Sequence, residues 1–201
     1  MITDVCFVDE ILWALVGLLL TILGTFIEAF TVNFPWNWGN EGILTNSLAV
    51  NFQIVGVLVA GCLGGKNGGV MSQIAYVVLG LFWLPVFVFG GGIGYFQEPT
   101  FGYILGFIPG AWICGWLAFR TKPHLDSLAL SAICGLGIIH LFGIIYLFGL
   151  SFLIPQNPSL SHLEYLKQGV YIYSINPFPG HLILVAVTST IAYLLRKLLF
   201  Y

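Results

Sequence analysis

Asn51 and Gln53, two amides two residues apart, and His181, placed directly after Pro177-Phe178-Pro179-Gly180, are the side chains best suited to fixing a small polar molecule. An amide carries both a donor and an acceptor, which suits a urea-like or amide-bearing solute. Two residues apart, Asn51 and Gln53 cannot share a face of one helix, so at least one of them faces other helices rather than lipid. His181 opens an expected helix. The N–H groups at a helix start favour an anion, so a carboxylate can sit there with the imidazole donating alongside; the competing reading is a capping or interfacial histidine. Tyr95, Gln97 and Tyr103 flank a glycine-rich turn, Gly90-Gly91-Gly92, and can line the same hollow.

Two further ionisable residues fall within apolar stretches, where such groups are costly and mark functional candidates. Glu28 lies near the outer end of the first apolar run, either pairing with a ligand donor or reaching the interface. His140 lies mid-way along the fifth run. It is either a neutral imidazole bonded to a facing carbonyl or part of a site or proton relay. An enzyme would need paired titratable groups at one depth, and Glu28 with His181 is the pair the sequence offers. Other chemistry is missing. Gly64-Gly65-Lys66-Asn67-Gly68-Gly69 fails as a phosphate loop, because Ala60 and Asn67 stand at required positions. Neither HExxH nor GxSxG occurs. Cys6, Cys62, Cys114 and Cys134 form no CxxC pair, so they read as small apolar fillers rather than zinc ligands or a disulfide framework. No catalytic residue, metal or cofactor is expected.

What positions these side chains is a membrane. Asp, Glu, Lys and Arg are absent from Ile11 to Ile27, between Lys66 and Glu98, between Glu98 and Arg120, and between Asp126 and Glu164. With 7% charged residues against 59% hydrophobic ones, the chain cannot cover an aqueous surface, whereas about 20 apolar residues cross a bilayer as a helix. The 201 residues allow about six crossings in a single domain, an all-α bundle. Expected spans are Ile11–Phe30, Leu48–Leu63, Val70–Phe89, Phe101–Phe119, Ser127–Leu150 and Phe178–Leu199. Glycine and proline clusters, Pro155 and Pro158 among them, mark the joints. Six crossings place both termini on one side. That side holds Lys66, Arg120, Lys122, Arg196 and Lys197, so the positive-inside rule makes it cytoplasmic, and the acidic Asp4, Asp9 and Glu10 count little. The result is a multi-pass protein of the cell membrane without a cleavable signal peptide. With no basic run, nucleic acid is not a partner. Trp36 and Trp38 read as interfacial anchors or as an aromatic lid. Gly17, Thr21 and Thr25, and separately Gly102, Gly106 and Gly110, form small-residue faces for close helix contact. The first is open to a partner membrane protein, the second to packing inside the bundle.

Leu84-Pro85-Val86-Phe87, Gly90-Gly91-Gly92 and Pro99-Thr100-Phe101-Gly102-Tyr103-Ile104-Leu105-Gly106-Phe107 together resemble the signature of the BioY biotin transporter family. The Gly64–Gly69 segment with Tyr76 and Gly80 resembles that family's inner hairpin and third helix, and Gln53 matches its glutamine. The likeness runs well from Val50 to Arg120 and in part over Phe178 to Ile183. It implies a six-helix substrate-binding component of an energy-coupling factor transporter. Such a component takes up biotin or a related small molecule and works with a transmembrane coupling protein and two ATPases. With biotin as the solute, the site is expected at Asn51, Gln53, Gly90, Gly91, Gly92, Tyr103 and His181, although Asn51 stands where the family often has proline; the resemblance also implies a contact of the first helix with the coupling protein, here through Gly17-xxx-Thr21. The chain departs from the family at helix six, where His181 stands in place of an acid and Leu184 in place of a lysine. Either another donor meets the solute's carboxylate or the solute differs.

Overall fold

The structure is a computed structural model that describes residues 6–153 and 161–199; Asp4, Pro155 and Pro158 lie outside the described residues. Among these, five helices are long and apolar enough to cross a membrane. Helix α1 (Phe7–Thr25) buries a narrow stripe, Ala14, Gly17, Thr21, Gly24 and Thr25, and leaves Leu12, Leu15, Leu19 and Leu23 exposed. The stripe is small for a reason. A Cβ on Gly17 would overlap Ala60, one on Gly24 would strike the backbone of Phe52, and one on Gly56 would strike that of Thr21. The Thr21 and Thr25 hydroxyls donate back to the carbonyls of Gly17 and Thr21, each at 2.8 Å, so they leave no unmet polar group in the contact. The small-residue face that the sequence offered to a partner is therefore spent within the chain.

Helix α1 stops at Thr25, short of the expected Phe30, and an antiparallel ribbon follows. Strand β1 (Glu28–Val32) pairs with β2 (Thr45–Asn51), with Phe30 opposite Ser47 and Val32 opposite Thr45. The all-α expectation fails here, and so does the helical reading of Leu48–Asn51: β-branched and aromatic residues in short runs pair across a turn more readily than they extend a helix. Between the strands lie a 3-10 turn (Pro35–Asn37) and the four-residue helix α2 (Trp38–Glu41). Asn33 ties this tip together. Its Nδ2 donates to the Gly42 carbonyl at 3.0 Å, and its Oδ1 accepts from the Leu44 amide at 3.1 Å.

Helix α3 (Gln53–Phe82) is broken at Gly65, whose φ of 68° and ψ of −170° are not helical. A Cβ on Gly69 would come 3.1 Å from the Gly61 Cα, so the second arm turns back beside the first. Gly115 of helix α4 (Phe101–Ala118) presses against this bend so closely that a Cβ there would overlap the Gly65 backbone. The second arm ends at Phe82, where Trp83 leaves helical geometry and Leu84 precedes a proline. Helix α5 (Leu125–Leu153) lies along α4; Gly102, Gly106 and Gly110 face Tyr146, Ile139 and Gly135, so this series does pack inside the bundle. The short helix α6 (His162–Val170) opens on a capping box between Ser161 and Glu164. It passes through a wide π turn (Tyr171–Ile175), and helix α7 then occupies the expected Phe178–Leu199. Near its end Arg196 donates to the Ala118 carbonyl at 2.7 Å and lies 4.0 Å over the Phe119 ring, fastening α7 to α4.

Candidate ligand-binding site

At the end of the bundle where β2 meets the start of α7 there is a cavity of about 230 Å³. Most of the polar wall comes from places where a helix begins, ends or widens, and α5 adds its middle. Strand β2 supplies Asn51, α3 supplies Gln53 at its first residue, the turn after α3 supplies Phe89, α4 supplies Tyr103, α5 supplies His140, and α7 supplies His181 in its first turn. Apolar walls come from Val50, Ile54, Ile104, Phe107 and Ile139. Asp, Glu, Lys and Arg are absent from the described lining.

Asn51 and Gln53 both reach this space although they are two residues apart. Asn51 is the last residue of a strand, and the chain turns at Phe52 before the helix starts, so the helical argument against a shared face does not hold. Asn51 Nδ2 donates to the Thr25 carbonyl at 3.4 Å. Gln53 is buried and its Nε2 donates to the Tyr76 hydroxyl at 2.7 Å, which in turn donates to the Val86 carbonyl at 2.9 Å. That relay holds one face of the Gln53 amide and leaves its carbonyl oxygen for another partner.

His181 Nδ1 lies 3.2 Å from His140 Nε2; His140 Nδ1 lies 3.0 Å from Ser174 Oγ, and the Tyr103 hydroxyl lies 2.7 Å from the same Ser174 oxygen. His140 is thus joined to side chains, not to a carbonyl. Ser174 reaches it because the π turn widens the backbone: the Asn176 amide donates to the Tyr171 carbonyl at 2.9 Å, five residues back, and the turned-in Ser174 is buried. Aromatic rings frame the pair, with Tyr103 and Phe178 edge-on to His140. Beside them Tyr95 lines the cavity with its hydroxyl 3.1 Å from Thr100 Oγ1, and burial holds this phenol above its ordinary pKa. The helix-start donors at α7 are few, since Pro179 has no N–H and the His181 amide already donates to the Pro177 carbonyl at 2.9 Å. The imidazole ring is the principal donor there.

Gly90, Gly91 and Gly92 do not line the hollow. They close the turn behind Val88 and Phe89, which do. Gly90 and Gly92 have φ of 112° and 90°, the Phe87 and Gly90 backbones bridge, and the Gly92 amide donates to the Gly80 carbonyl at 2.8 Å. Glu28 is not near His181 in any bonded sense. It lies in β1, exposed, and accepts from the Ser47 hydroxyl, so the pair considered for catalysis is not formed. Leu184 is buried against Ala29 and Val50, an apolar seat. Ser174 and Tyr173 escaped sequence reading, and Tyr76 is marked only by the family resemblance. Ser174 and Tyr173 sit between two expected spans, and nothing in the sequence marks a π turn.

A family model described as the BioY family matches residues 3–200. An uncharacterized 21.2 kDa protein of Cyanophora paradoxa is 28% identical over 193 residues, covering 94% of this chain and 95% of that one. A probable biotin transporter BioY of Lysinibacillus sphaericus is 45% identical over 89 residues, a match that spans under half of either protein, 44% and 45%. Among solved structures, the S-component for biotin of an ECF-type ABC transporter superposes with a TM-score of 0.66 at 23% identity, over 94% of this chain and 92% of that one. At that identity the likeness speaks for the fold.

Proposed function

The chain belongs to the BioY family, and from that premise we propose that it is the membrane component that captures biotin for an energy-coupling factor transporter. It acts by binding and reorienting rather than by catalysis; relatives named for an activity are biotin transporters. The observation that carries this reading is the cavity at the ribbon end of the bundle, which gathers two amides, two imidazoles and apolar side chains into one lining. Biotin has matching parts: a ureido ring, an apolar bicycle and chain, and a carboxylate. In this reading Asn51 and Gln53 meet the ureido group, Ile104, Phe107 and Ile139 pack on the bicycle, and Tyr103 and His181 meet the acid end. The turn Gly90-Gly91-Gly92 sets the height of the Val88–Phe89 wall. The two arms of α3 cross the bilayer separately, giving six crossings. The termini, Lys66, Arg120 and Lys122 then share the cytoplasmic side, and the transport step is driven by a transmembrane coupling protein with ATPase subunits.

A second reading keeps the transport class and changes the solute to a neutral or less acidic relative of biotin. The lining without a fixed cation favours it. One experiment addresses both: labelled biotin titrated onto the purified protein, in competition with its methyl ester. Saturable binding of biotin is expected. No saturable binding up to high micromolar concentration rejects biotin as the solute, and retention of the ester alone selects the second reading.

A further inference from the structure

Tyr103, Ser174, His140 and His181 form an unbroken line of four polar side chains joined by three contacts of 2.7, 3.0 and 3.2 Å. With both rings neutral, each group carries one hydrogen, so three hydrogens serve the internal contacts and one remains at an end of the line. In one sense Tyr103 donates to Ser174, Ser174 to His140 Nδ1, and His140 Nε2–H to His181 Nδ1, which leaves His181 Nε2–H facing outward. In the other sense every bond reverses and the Tyr103 hydroxyl hydrogen faces outward, with His181 Nε2 as an acceptor. His181 Nε2 has no hydrogen-bond partner among the described residues, and Tyr103 and His181 both line the cavity. The neutral line therefore presents one donor and one acceptor to a ligand. One added proton changes this: all three internal bonds remain satisfied, and both ends become donors.

We infer that this line is the cavity's conditional cation, gained with the ligand: the neutral imidazole pair takes one proton from the aqueous medium as an anionic carboxylate enters. The carboxylate then accepts from His181 Nε2–H and the Tyr103 hydroxyl. The inference rests on the reading that the solute carries a carboxylate. Atoms and charge balance: a carboxylate, a solvent proton and a neutral histidine pair become a carboxylate beside one imidazolium. The described lining has no Lys or Arg to do this work, and a carboxylate withdrawn from water without a cation is strongly disfavoured. The groups facing the pair are uncharged: Tyr103 from α4, Phe178 from α7, and Ser174 from the π turn. The other polar groups of the lining are Tyr95, Thr100, Tyr173, Asn51 and Gln53. Glu98, outside the described lining, acts electrostatically on Tyr95 and Tyr173. A permanent charge is not needed, because the line can distribute the proton over both rings without breaking an internal bond.

The test is calorimetry of biotin and biotin methyl ester on the full chain in nanodiscs, from pH 6 to 9, in buffers of different ionisation enthalpy. Biotin should bind with uptake of up to one proton, and its affinity should fall about tenfold per pH unit once the free pair is neutral. The ester should bind with no uptake and a flat profile. His181→Gln, which keeps a donor but cannot titrate, should flatten the biotin profile and abolish its proton uptake. Biotin bound with no proton uptake and a flat profile overturns the inference while leaving the transport reading intact. Failure of both acid and ester to bind at every pH overturns the transport reading, and the inference with it.

Discussion

Tyr76→Phe isolates what the Tyr76 hydroxyl does, because the ring and its edge contacts to Phe87 stay in place. The hydroxyl is fully buried with its ring. It accepts from Gln53 Nε2 at 2.7 Å, donates to the Val86 carbonyl at 2.9 Å, and touches Thr25 Oγ1 at 3.2 Å. The Thr25 hydrogen is already given to the Thr21 carbonyl at 2.8 Å, so two bonds, not three, are lost outright. Hydrogen bonds between membrane helices average about 0.6 kcal/mol and reach about 1.7 kcal/mol; leaving a buried partner unsatisfied costs about 1–3 kcal/mol. Gln53 can turn its freed amide toward the cavity, whereas the Val86 carbonyl has no other donor among the described residues, so the expected loss of stability is about 2 kcal/mol. Equilibrium unfolding in mixed micelles reads this. The affinity for biotin should fall about tenfold, or about 1.4 kcal/mol, because an unanchored Gln53 samples orientations that do not serve the solute. Unchanged stability would refute the buried-relay reasoning. Lost stability with unchanged affinity would refute the placing of Gln53 against the solute.

Other expectations follow from single contacts. Gly115→Ala drives a Cβ into the Gly65 bend and should lower stability by at least about 2 kcal/mol, seen as loss of the monodisperse peak on heating, with Gly137→Ala, which meets open space, as the silent comparison. Arg196→Met removes the bond to the Ala118 carbonyl and the contact over Phe119 and should cost about 1–3 kcal/mol in the same unfolding assay. Leu184→Lys places an ammonium against Ala29 and Val50; it should destabilise the protein rather than tighten biotin binding, and a gain in affinity would mean that this seat opens toward the cavity.

The helices were the legible part of this molecule. Ionic residues are absent from each long run, and the start of α4 and both ends of α7 fall within a residue or so of where composition and proline place them. What composition could not show is where an apolar run stops being helical. Leu48–Asn51 and Glu28–Phe30 fall inside expected spans, yet they pair as strands, because a partner segment lies across a turn and pairing is not a local property. The turn at Gly65 could be read as a joint; that it folds one arm onto the other depends on Gly61, Gly69 and Gly115 meeting in space. Of the site, Asn51, Gln53, Tyr103 and His181 stand out as polar residues in apolar surroundings. Ser174 does not, because its role depends on a π turn that no residue type announces.

These failures share one physical cause. In a bilayer, non-helical backbone is tolerated only where protein covers it or where it lines a cavity, since lipid offers no hydrogen bonds. The described breaks at the cavity obey that rule: β2 pairs with β1 and seats Leu48 against Gly180, the turn after α3 bonds its Gly92 amide to Gly80, and the π turn closes through Asn176 and Tyr171. Each break also turns a polar side chain, or the wall beside one, inward. The interruptions that spoil a helical reading are thus the same features that assemble the cavity, and a substitution that repaired one would remove part of the site. Replacing Gly92, at φ 90°, by a β-branched residue is the plain instance. The turn would have to leave its left-handed geometry, the bond to Gly80 would be lost, and the Val88–Phe89 wall would shift, so biotin affinity should fall more than the helical content seen by circular dichroism.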